Sequence, residues 1–259
     1  MASELLFSRG SLFYDNTFLY AHKNISLQHN YTKTHIMNIR LLLLALSKAI
    51  AGWVMMALLL FLPAGTLAYN KAWLLMGLLF IPMLLMGIVM YIKSPELLRR
   101  RLESKEKRNV QQGVIKYAGM LFIAGFIVAG LDYRYGWSVV PEWVTYASVL
   151  LFLAGYGMYA EVMRENVWLS RTVHVESEQE VVTTGLYGIV RHPMYTATLL
   201  MFISMPLVLD SWWATLILFL YIPIIVSRIL DEEKLLRAEL KGYNEYCNHL
   251  RWRLIPGIW

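Results

Sequence analysis

Polar and aromatic side chains cluster in the stretch 185–195, "GLYGIVRHPMY", directly before a long apolar run. Pro193 suits the first turn of a helix, because its missing N–H would have no intrahelical partner there. The free N–H groups of such a turn attract anions, and Tyr187 and Tyr195 offer faces that stack on a base or lie beside a cation. The pattern is typical of a site for a charged ligand. On these residues alone, an interfacial helix cap with a snorkelling Arg191 and membrane-belt tyrosines is the alternative.

A second group of charged residues is "RILDEE" at 228–233. Arg228 and Glu232 are spaced to share one face of a helix. An exposed pair of this kind is worth little, but an arginine near membrane depth indicates a functional site. We expect Asp231 and Glu233 to favour the first turn of a helix that follows the last span. Two histidines and one lysine are given no chemical role: His174, His249 and the snorkelling Lys48.

The composition indicates a membrane protein. Apolar residues make up 58% of the chain, charged residues 16%, and the mean hydropathy is +0.47. Several runs reach the roughly 20 residues that cross a bilayer. The net charge of +6 lies in loops, where it orients the protein in the bilayer rather than binding nucleic acid. Cys247 is the single cysteine, and no metal-ligand spacing is present, so we expect no disulfide and no metal.

These runs predict an all-α, polytopic bundle of about six spans. The first four are 41–62, 73–92, 115–131 and 143–163. The stretch 195–230 is too long for one crossing, and Leu209 to Trp212 interrupts it, which predicts a helical hairpin. The basic loop 93–108 should be cytoplasmic and should open with a helix at Ser94-Pro95-Glu96. The loops 63–72 and 132–142 should then lie outside, with both termini and the segment 164–193 inside.

The residues from Asp231 to Leu250 predict a cytosolic amphipathic helix, because apolar side chains recur at helical spacing. That stripe contains Leu235, Leu236, Leu240, Tyr243, Cys247 and Leu250. Gly242 weakens the helix by about 1 kcal/mol. The chain accordingly divides into a polar, disordered tail (1–36), N-terminal spans (37–163) and a core that carries the polar motifs (164–259).

The chain from about Asn166 to Trp259 resembles the isoprenylcysteine carboxyl methyltransferase family, particularly its short prokaryotic members. The matching pieces are "VVTTGLYGIVRHPMY" (181–195), "RILDEEKLLRAELKGYNEY" (228–246) and "RWRLIPGIW" (251–259). "SPELLRRR" (94–101) adds weaker support.

The resemblance implies an integral membrane enzyme that binds S-adenosylmethionine in a cytosol-facing pocket, with a lipid-side route for the acceptor. It implies that Arg228 binds the substrate, and we expect catalytic roles for Arg191, Arg228 and Glu232. By position, the family's cofactor contacts fall on Gln179, Glu180, Val181, Val182, Tyr187, His192, Pro193, Met194, Tyr195 and Glu232. Two departures occur: relatives commonly have His-x-Val-Val at 179–182 and Gly in place of Ala197.

The function that we predict is carboxyl methylation of a lipophilic, isoprenylcysteine-like acceptor, with the bilayer as the other partner. N-methylation of a lipid amine, as in the related phospholipid methyltransferases, is the nearest alternative. An NADPH-dependent membrane sterol or lipid reductase looks similar around Arg-His-Pro-x-Tyr, but this chain lacks an obvious basic cluster beside the motif for a 2′-phosphate. A non-catalytic scaffold or transporter is a further class.

Overall fold

The computed structural model describes residues 39–102, 109–169, 175 and 178–259. The predicted tail 1–36, His174 and much of the basic loop after Leu102 lie outside the described residues. The chain divides into two units, one ending at Leu46 and the other covering Ser47–Trp259. Within the first unit, residues 39–46 are helical.

The described residues are mostly helical and contain no strand. The helices before the loop at 166–184 are α1 (Ile39–Ala64), α2 (Asn70–Lys93), α3 (Pro95–Leu102), α4 (Asn109–Tyr135) and α5 (Glu142–Glu165). A short 3₁₀ turn (Gly185–Gly188) follows, and then α6 (Pro193–Val208), α7 (Trp212–Phe219), α8 (Tyr221–Glu239) and α9 (Tyr243–His249). The all-α membrane bundle that the sequence predicts is therefore confirmed.

The first four predicted spans lie within α1, α2, α4 and α5, each of which is long and apolar enough to cross a bilayer. The predicted hairpin also forms. Its first arm, α6, has 16 residues, which is shorter than a full crossing. Its second arm consists of α7 and α8, which meet at Leu220. Pro223 accounts for this joint, because its ring and missing N–H disrupt the preceding turn of a helix.

Close packing of α5 against α6 positions the polar motifs. Gly155 faces α6, and a Cβ atom there would lie 2.9 Å from both the carbonyl oxygen of Ala197 and Cγ of Met201. Because glycine has no side chain, the two helices approach closely along this line. The N-terminus of α6 is thereby fixed beside the C-terminus of α5.

The C-terminal helix differs from its predicted bounds. No break occurs near Asp231, since α8 continues without interruption to Glu239. The prediction that Asp231 and Glu233 lie in a first helical turn is therefore wrong. The chain breaks instead at Leu240–Gly242, where Gly242 has a φ of +85°. The predicted apolar stripe is therefore divided between α8 and the residues after Gly242. One cluster contains Leu236, Leu240, Tyr243, Cys247 and Leu250 from this stripe, together with Val175 and Val181.

Candidate functional site

The turn before the Arg-His-Pro motif is anchored to the end of α5. The carboxylate of Glu165 accepts a hydrogen bond from the main-chain N–H of Leu186 at 3.1 Å. Gly185 has a φ of +51°, and a Cβ atom there would collide with that carboxylate. Asn166 Nδ2 donates to the hydroxyl of Tyr187 at 2.9 Å, and burial raises the pKa of Tyr187 to about 12. Tyr187 is therefore a fixed, neutral aromatic group.

The Arg-His-Pro motif pairs with the last residues of the chain. The main-chain N–H of Arg191 donates to the carbonyl of Trp252 at 2.9 Å, and that of His192 donates to the carbonyl of Arg253 at 3.0 Å. Pro193 begins α6 at its first turn, where a missing N–H has no cost. The segment 250–254 thus supplies backbone partners that the start of α6 would otherwise lack.

A buried carboxylate, Glu233, joins these parts. It is 3% exposed and accepts from Arg191 Nη2 at 2.7 Å and Arg253 Nε at 3.0 Å, while His192 Nε2 lies 3.2 Å away. Arg191 Nη1 also donates to the carbonyl of Leu250 at 2.8 Å. Carboxylate and guanidinium groups stay charged in such a place only when they are paired. Glu233 therefore holds the motif, α8 and the C-terminal segment together.

Sequence reasoning missed this role for Glu233. Its partners lie far away along the chain, at 191–192 and 253, so no helical spacing connects them. The adjacent acidic pair in the motif at 228–246 was the only signal. Arg191, predicted as catalytic, lines the cavity described below, but its charge is balanced by Glu233.

Three predicted residues meet around one hydroxyl group. Arg228 Nε donates to the hydroxyl of Tyr195 at 2.9 Å, and that hydroxyl donates to Oε2 of Glu232. The Arg228 guanidinium also lies 5.8 Å from the centre of the Tyr195 ring. Arg228 and Glu232, which were predicted to share one face of a helix, are thus connected to each other through the hydroxyl group of Tyr195.

A cavity adjoins this group. It has about 810 Å³ of empty space, part of which is open to solvent. Every predicted cofactor residue except Pro193 lines the cavity. Arg228, the predicted substrate residue, does not line it and contacts the lining residue Tyr195. The side chains lining the cavity are Asn166, Trp168, Leu169, Gln179, Glu180, Val181, Val182, Tyr187, Arg191, His192, Met194, Tyr195, Glu232, Leu236, Leu240, Tyr243 and Tyr246.

One polar atom in this lining lacks a partner. The hydroxyl oxygen of Tyr243 is buried and makes no hydrogen bond within the part of the chain that the structure describes. A buried hydroxyl without a partner is costly, and the residue that carries it lines the cavity. Among those same residues, no group of three or more His, Cys, Asp or Glu side chains is arranged to hold a metal ion.

Comparison with known families gives a result that fits this geometry. Residues 143–241 match the phospholipid methyltransferase family. That stretch runs from the first turn of α5 to the end of α8 and contains both polar motifs, and it covers less than half of the chain. No curated protein sequence matches the chain significantly.

The phospholipid methyltransferase family includes the integral membrane enzymes related to isoprenylcysteine carboxyl methyltransferases, so the predicted resemblance is confirmed. The match indicates a membrane methyltransferase, and the long apolar helices indicate a multi-pass membrane protein. The matched phospholipid methyltransferase segment contributes most of the cavity lining. Tyr243 and Tyr246 lie just beyond it.

Proposed function

We propose that this protein is an S-adenosylmethionine-dependent methyltransferase that acts on a lipophilic acceptor at one surface of the membrane. The observation that carries the proposal is the cavity in which Tyr195, tied to Arg228 and Glu232, lies beside Tyr187, His192 and the segment 179–182. Two sequence segments separated by a helical hairpin contribute to this one space.

The lining fits the chemistry of S-adenosylmethionine. Glu180 and Glu232 are acceptors for an ammonium or for sugar hydroxyls, and the tyrosine and tryptophan faces suit an adenine or a sulfonium. Val181, Leu236 and Leu240 supply an apolar wall. The unpartnered hydroxyl of Tyr243 gives a further donor or acceptor for a polar group of the cofactor.

When bound, the cofactor supplies an electrophilic methyl carbon, which an acceptor oxygen or nitrogen attacks while the carbon–sulfur electron pair leaves with sulfur. The chain's own task is then to position both groups and to exclude water. Tyr195 holds Glu232 at the cavity, and Glu233 fixes the same turn of α8 against Arg191. Arg228, on the far side of Tyr195, orients the acceptor.

The primary acceptor that we propose is a carboxylate of the isoprenylcysteine type. A carboxylate needs no general base, and the Arg228 guanidinium can hold it by a two-pronged contact. N-methylation of a lipid amine is a second candidate, favoured by the match to the phospholipid methyltransferase family. In that case the amine must lose a proton, and Glu232 is the carboxylate in the cavity nearest to Tyr195 that can accept it.

We place the cavity end of the bundle at the cytosolic surface. The inference uses Lys93, Arg99, Arg100 and Arg101, which lie at that end, because cytoplasmic loops of membrane proteins carry an excess of basic residues. Both termini would then be cytoplasmic.

The test is incubation of the purified protein with methyl-labelled S-adenosylmethionine and a total lipid extract. We expect label in the lipid phase, and its release by mild base distinguishes an ester from an N-methyl group, which base leaves intact. The matched control is Glu232→Gln, which keeps the shape of the side chain and removes its charge. Equal labelling by wild type and Glu232→Gln, or none by either, would overturn the proposed function.

A further inference from the structure

Asn166, the residue directly after α5, lines the cavity although it is not among the predicted cofactor residues. Its side-chain oxygen accepts a hydrogen bond from the main-chain N–H of Trp168 at 3.0 Å, and its Nδ2 donates to the hydroxyl of Tyr187 at 2.9 Å. Because a main-chain N–H can only donate, the atom facing Trp168 must be the oxygen, which leaves the NH₂ group facing Tyr187. The orientation of the Asn166 amide is therefore fixed.

This orientation decides what the hydroxyl group of Tyr187 can do. Its oxygen accepts the hydrogen bond from Asn166, and a phenol has one hydrogen of its own to donate. Within the part of the chain that the structure describes, Asn166 is the side chain that hydrogen-bonds this hydroxyl. Tyr187 is 8% exposed and lines the cavity. The hydroxyl hydrogen of Tyr187 is thus available to a group inside the cavity.

Two other tyrosine hydroxyls of the cavity lining are already used as donors. That of Tyr195 donates to Glu232, and that of Tyr246 donates to the main-chain carbonyl of Tyr187 at 2.7 Å. Both hydrogens are bound within the protein, so neither is offered to a ligand. Of these three tyrosines, Tyr187 is the one whose hydroxyl is held by a donor rather than by an acceptor.

The hydroxyl of Tyr187 stays protonated at neutral pH. Burial raises the pKa of Tyr187 to about 12, although the hydrogen bond from Asn166 acts in the opposite direction. A neutral O–H donor in a poorly hydrated site forms a stronger hydrogen bond than it would in water. An S-adenosyl compound offers two kinds of acceptor for it, the carboxylate oxygens and the ring nitrogens of adenine.

We propose that Asn166 is a positioning residue for the ligand of the cavity. By occupying the oxygen of the Tyr187 hydroxyl, Asn166 directs the hydroxyl hydrogen toward an acceptor atom of the S-adenosyl cofactor. A donor that is oriented before binding costs less conformational entropy when the ligand arrives. This assignment rests on the proposed function, because it takes the ligand to be an S-adenosyl compound.

An aspartate at position 166 reverses this hydrogen bond while keeping the shape of the side chain. Asn166→Asp retains an acceptor for the N–H of Trp168, but its second oxygen also accepts, so the Tyr187 hydroxyl must donate to it. Asn166→Ala removes both hydrogen bonds and leaves that hydroxyl able to turn toward the ligand. A purely structural role of Asn166 therefore predicts a larger loss of affinity for alanine, whereas the directing role predicts a larger loss for aspartate.

Calorimetric titration of the purified protein in detergent with S-adenosylhomocysteine measures these affinities, and thermal unfolding checks that each variant is folded. We expect Asn166→Asp and Tyr187→Phe each to weaken binding by about tenfold or more, and Asn166→Ala by only about threefold, because one hydrogen bond to the ligand is at stake. Asn244→Asp is the matched control, since Asn244 is exposed and does not line the cavity. It should stay within about twofold of the wild type.

A double variant separates the direction of the hydrogen bond from the added negative charge. If Asn166→Asp acts through the Tyr187 hydroxyl, adding it to Tyr187→Phe should weaken binding by no more than about a further twofold. A large further loss would show that the charge repels the ligand directly and would overturn the proposal. So would wild-type affinity in Asn166→Asp, or a greater loss in Asn166→Ala than in Asn166→Asp.

A second ligand locates the acceptor atom. 5′-Methylthioadenosine keeps the adenosine part of the cofactor but has no carboxylate. If Asn166→Asp weakens the binding of both ligands, the Tyr187 hydroxyl donates to the adenosine part, and if it weakens S-adenosylhomocysteine alone, the hydroxyl donates to the carboxylate.

The failure of this proposal is distinguishable from that of the proposed function. A wild-type protein that binds no S-adenosylhomocysteine would overturn both. Binding by the wild type that is matched by Asn166→Asp would overturn the role of Asn166 alone.

Discussion

Tyr195 holds two opposite charges beside the cavity, because its hydroxyl accepts from Arg228 Nε at 2.9 Å and donates to Glu232. Charged groups that leave water need such partners. Small displacements of reacting groups slow a transfer reaction markedly. We therefore expect the rate to depend on this group more than it would on an exposed ion pair of the same residues.

The adjacent acids of α8 should have separable roles. Glu233→Gln leaves Arg191 and Arg253 without a balancing charge, so we expect it to lower the free energy of unfolding by roughly 3–5 kcal/mol. Glu232→Gln, at a half-buried position, should lower stability less than Glu233→Gln does and should weaken S-adenosylhomocysteine binding. Unfolding in detergent and calorimetric titration measure the two effects. Equal stability of the two variants would contradict the structural role of Glu233.

Removal of the buried Tyr243 hydroxyl should affect the stability of the ligand-free protein and the stabilisation by ligand in opposite directions. Since that oxygen has no hydrogen-bond partner among the described residues, Tyr243→Phe should leave the ligand-free protein as stable as the wild type or stabilise it by about 1 kcal/mol. The extra stabilisation that S-adenosylhomocysteine provides should shrink. Thermal unfolding with and without the ligand tests this. A destabilised free protein would show that the hydroxyl is already satisfied.

At the scale of elements, the approach of α5 to α6 determines where the cavity forms. Glu165 and Asn166 at the end of α5 hold the turn that precedes α6. Tyr195 projects from the first turns of α6 toward α8. A change in the distance between α5 and α6 therefore moves residues on two sides of the cavity at once.

Two glycines of α5 offer a matched comparison for this contact. A Cβ atom at Gly155 would lie 2.9 Å from Ala197 and Met201, whereas one at Gly157 meets nothing within 4 Å. We expect Gly155→Ala to destabilise the protein by about 1–3 kcal/mol through overpacking. Gly157→Ala should be neutral or slightly stabilising, because alanine favours a helix. Thermal unfolding of both variants in the same detergent measures the difference. Equal changes in stability would contradict the close packing of α5 against α6.

Helices were predictable from the sequence where a single local pattern, such as an apolar run or a proline, determines the structure. Apolar runs gave the first four spans, and Pro193 marked the start of α6. The end of α8 was not predictable, because the change from apolar to charged residues at Asp231 resembles a helix start, while the helix continues to Glu239. The cofactor residues came from a family resemblance. The ion pairs of Glu233 join distant segments, which no local pattern reveals.

At the scale of the whole molecule, the two ends of the unit Ser47–Trp259 differ in chemistry. The end opposite the cavity contains a buried carboxyl group, Asp132, which accepts hydrogen bonds from the hydroxyl of Ser138 at 2.6 Å and from that of Ser211 at 2.5 Å. The cavity end contains Glu233 with its cationic partners and the arginines of α3. A bilayer tends to orient such a molecule with its basic end toward the cytosol.

Cysteine labelling tests this orientation. In a Cys247→Ser background, Val139→Cys should react with a membrane-impermeant maleimide in intact cells, because Val139 is 83% exposed and lies in a predicted outer loop. Glu178→Cys, at another exposed position, should react only after the cells are permeabilised. The reverse pattern would contradict the cytosolic placement of the cavity.

The most direct test of the account is calorimetric titration of the purified protein in detergent with S-adenosylhomocysteine and, separately, with NADPH. Because the cavity joins Tyr195 and Glu232 with Glu180 and Tyr243, we expect saturable binding of S-adenosylhomocysteine that is strongly weakened in Glu232→Gln, and no binding of NADPH. Tight NADPH binding without S-adenosylhomocysteine binding would contradict the account.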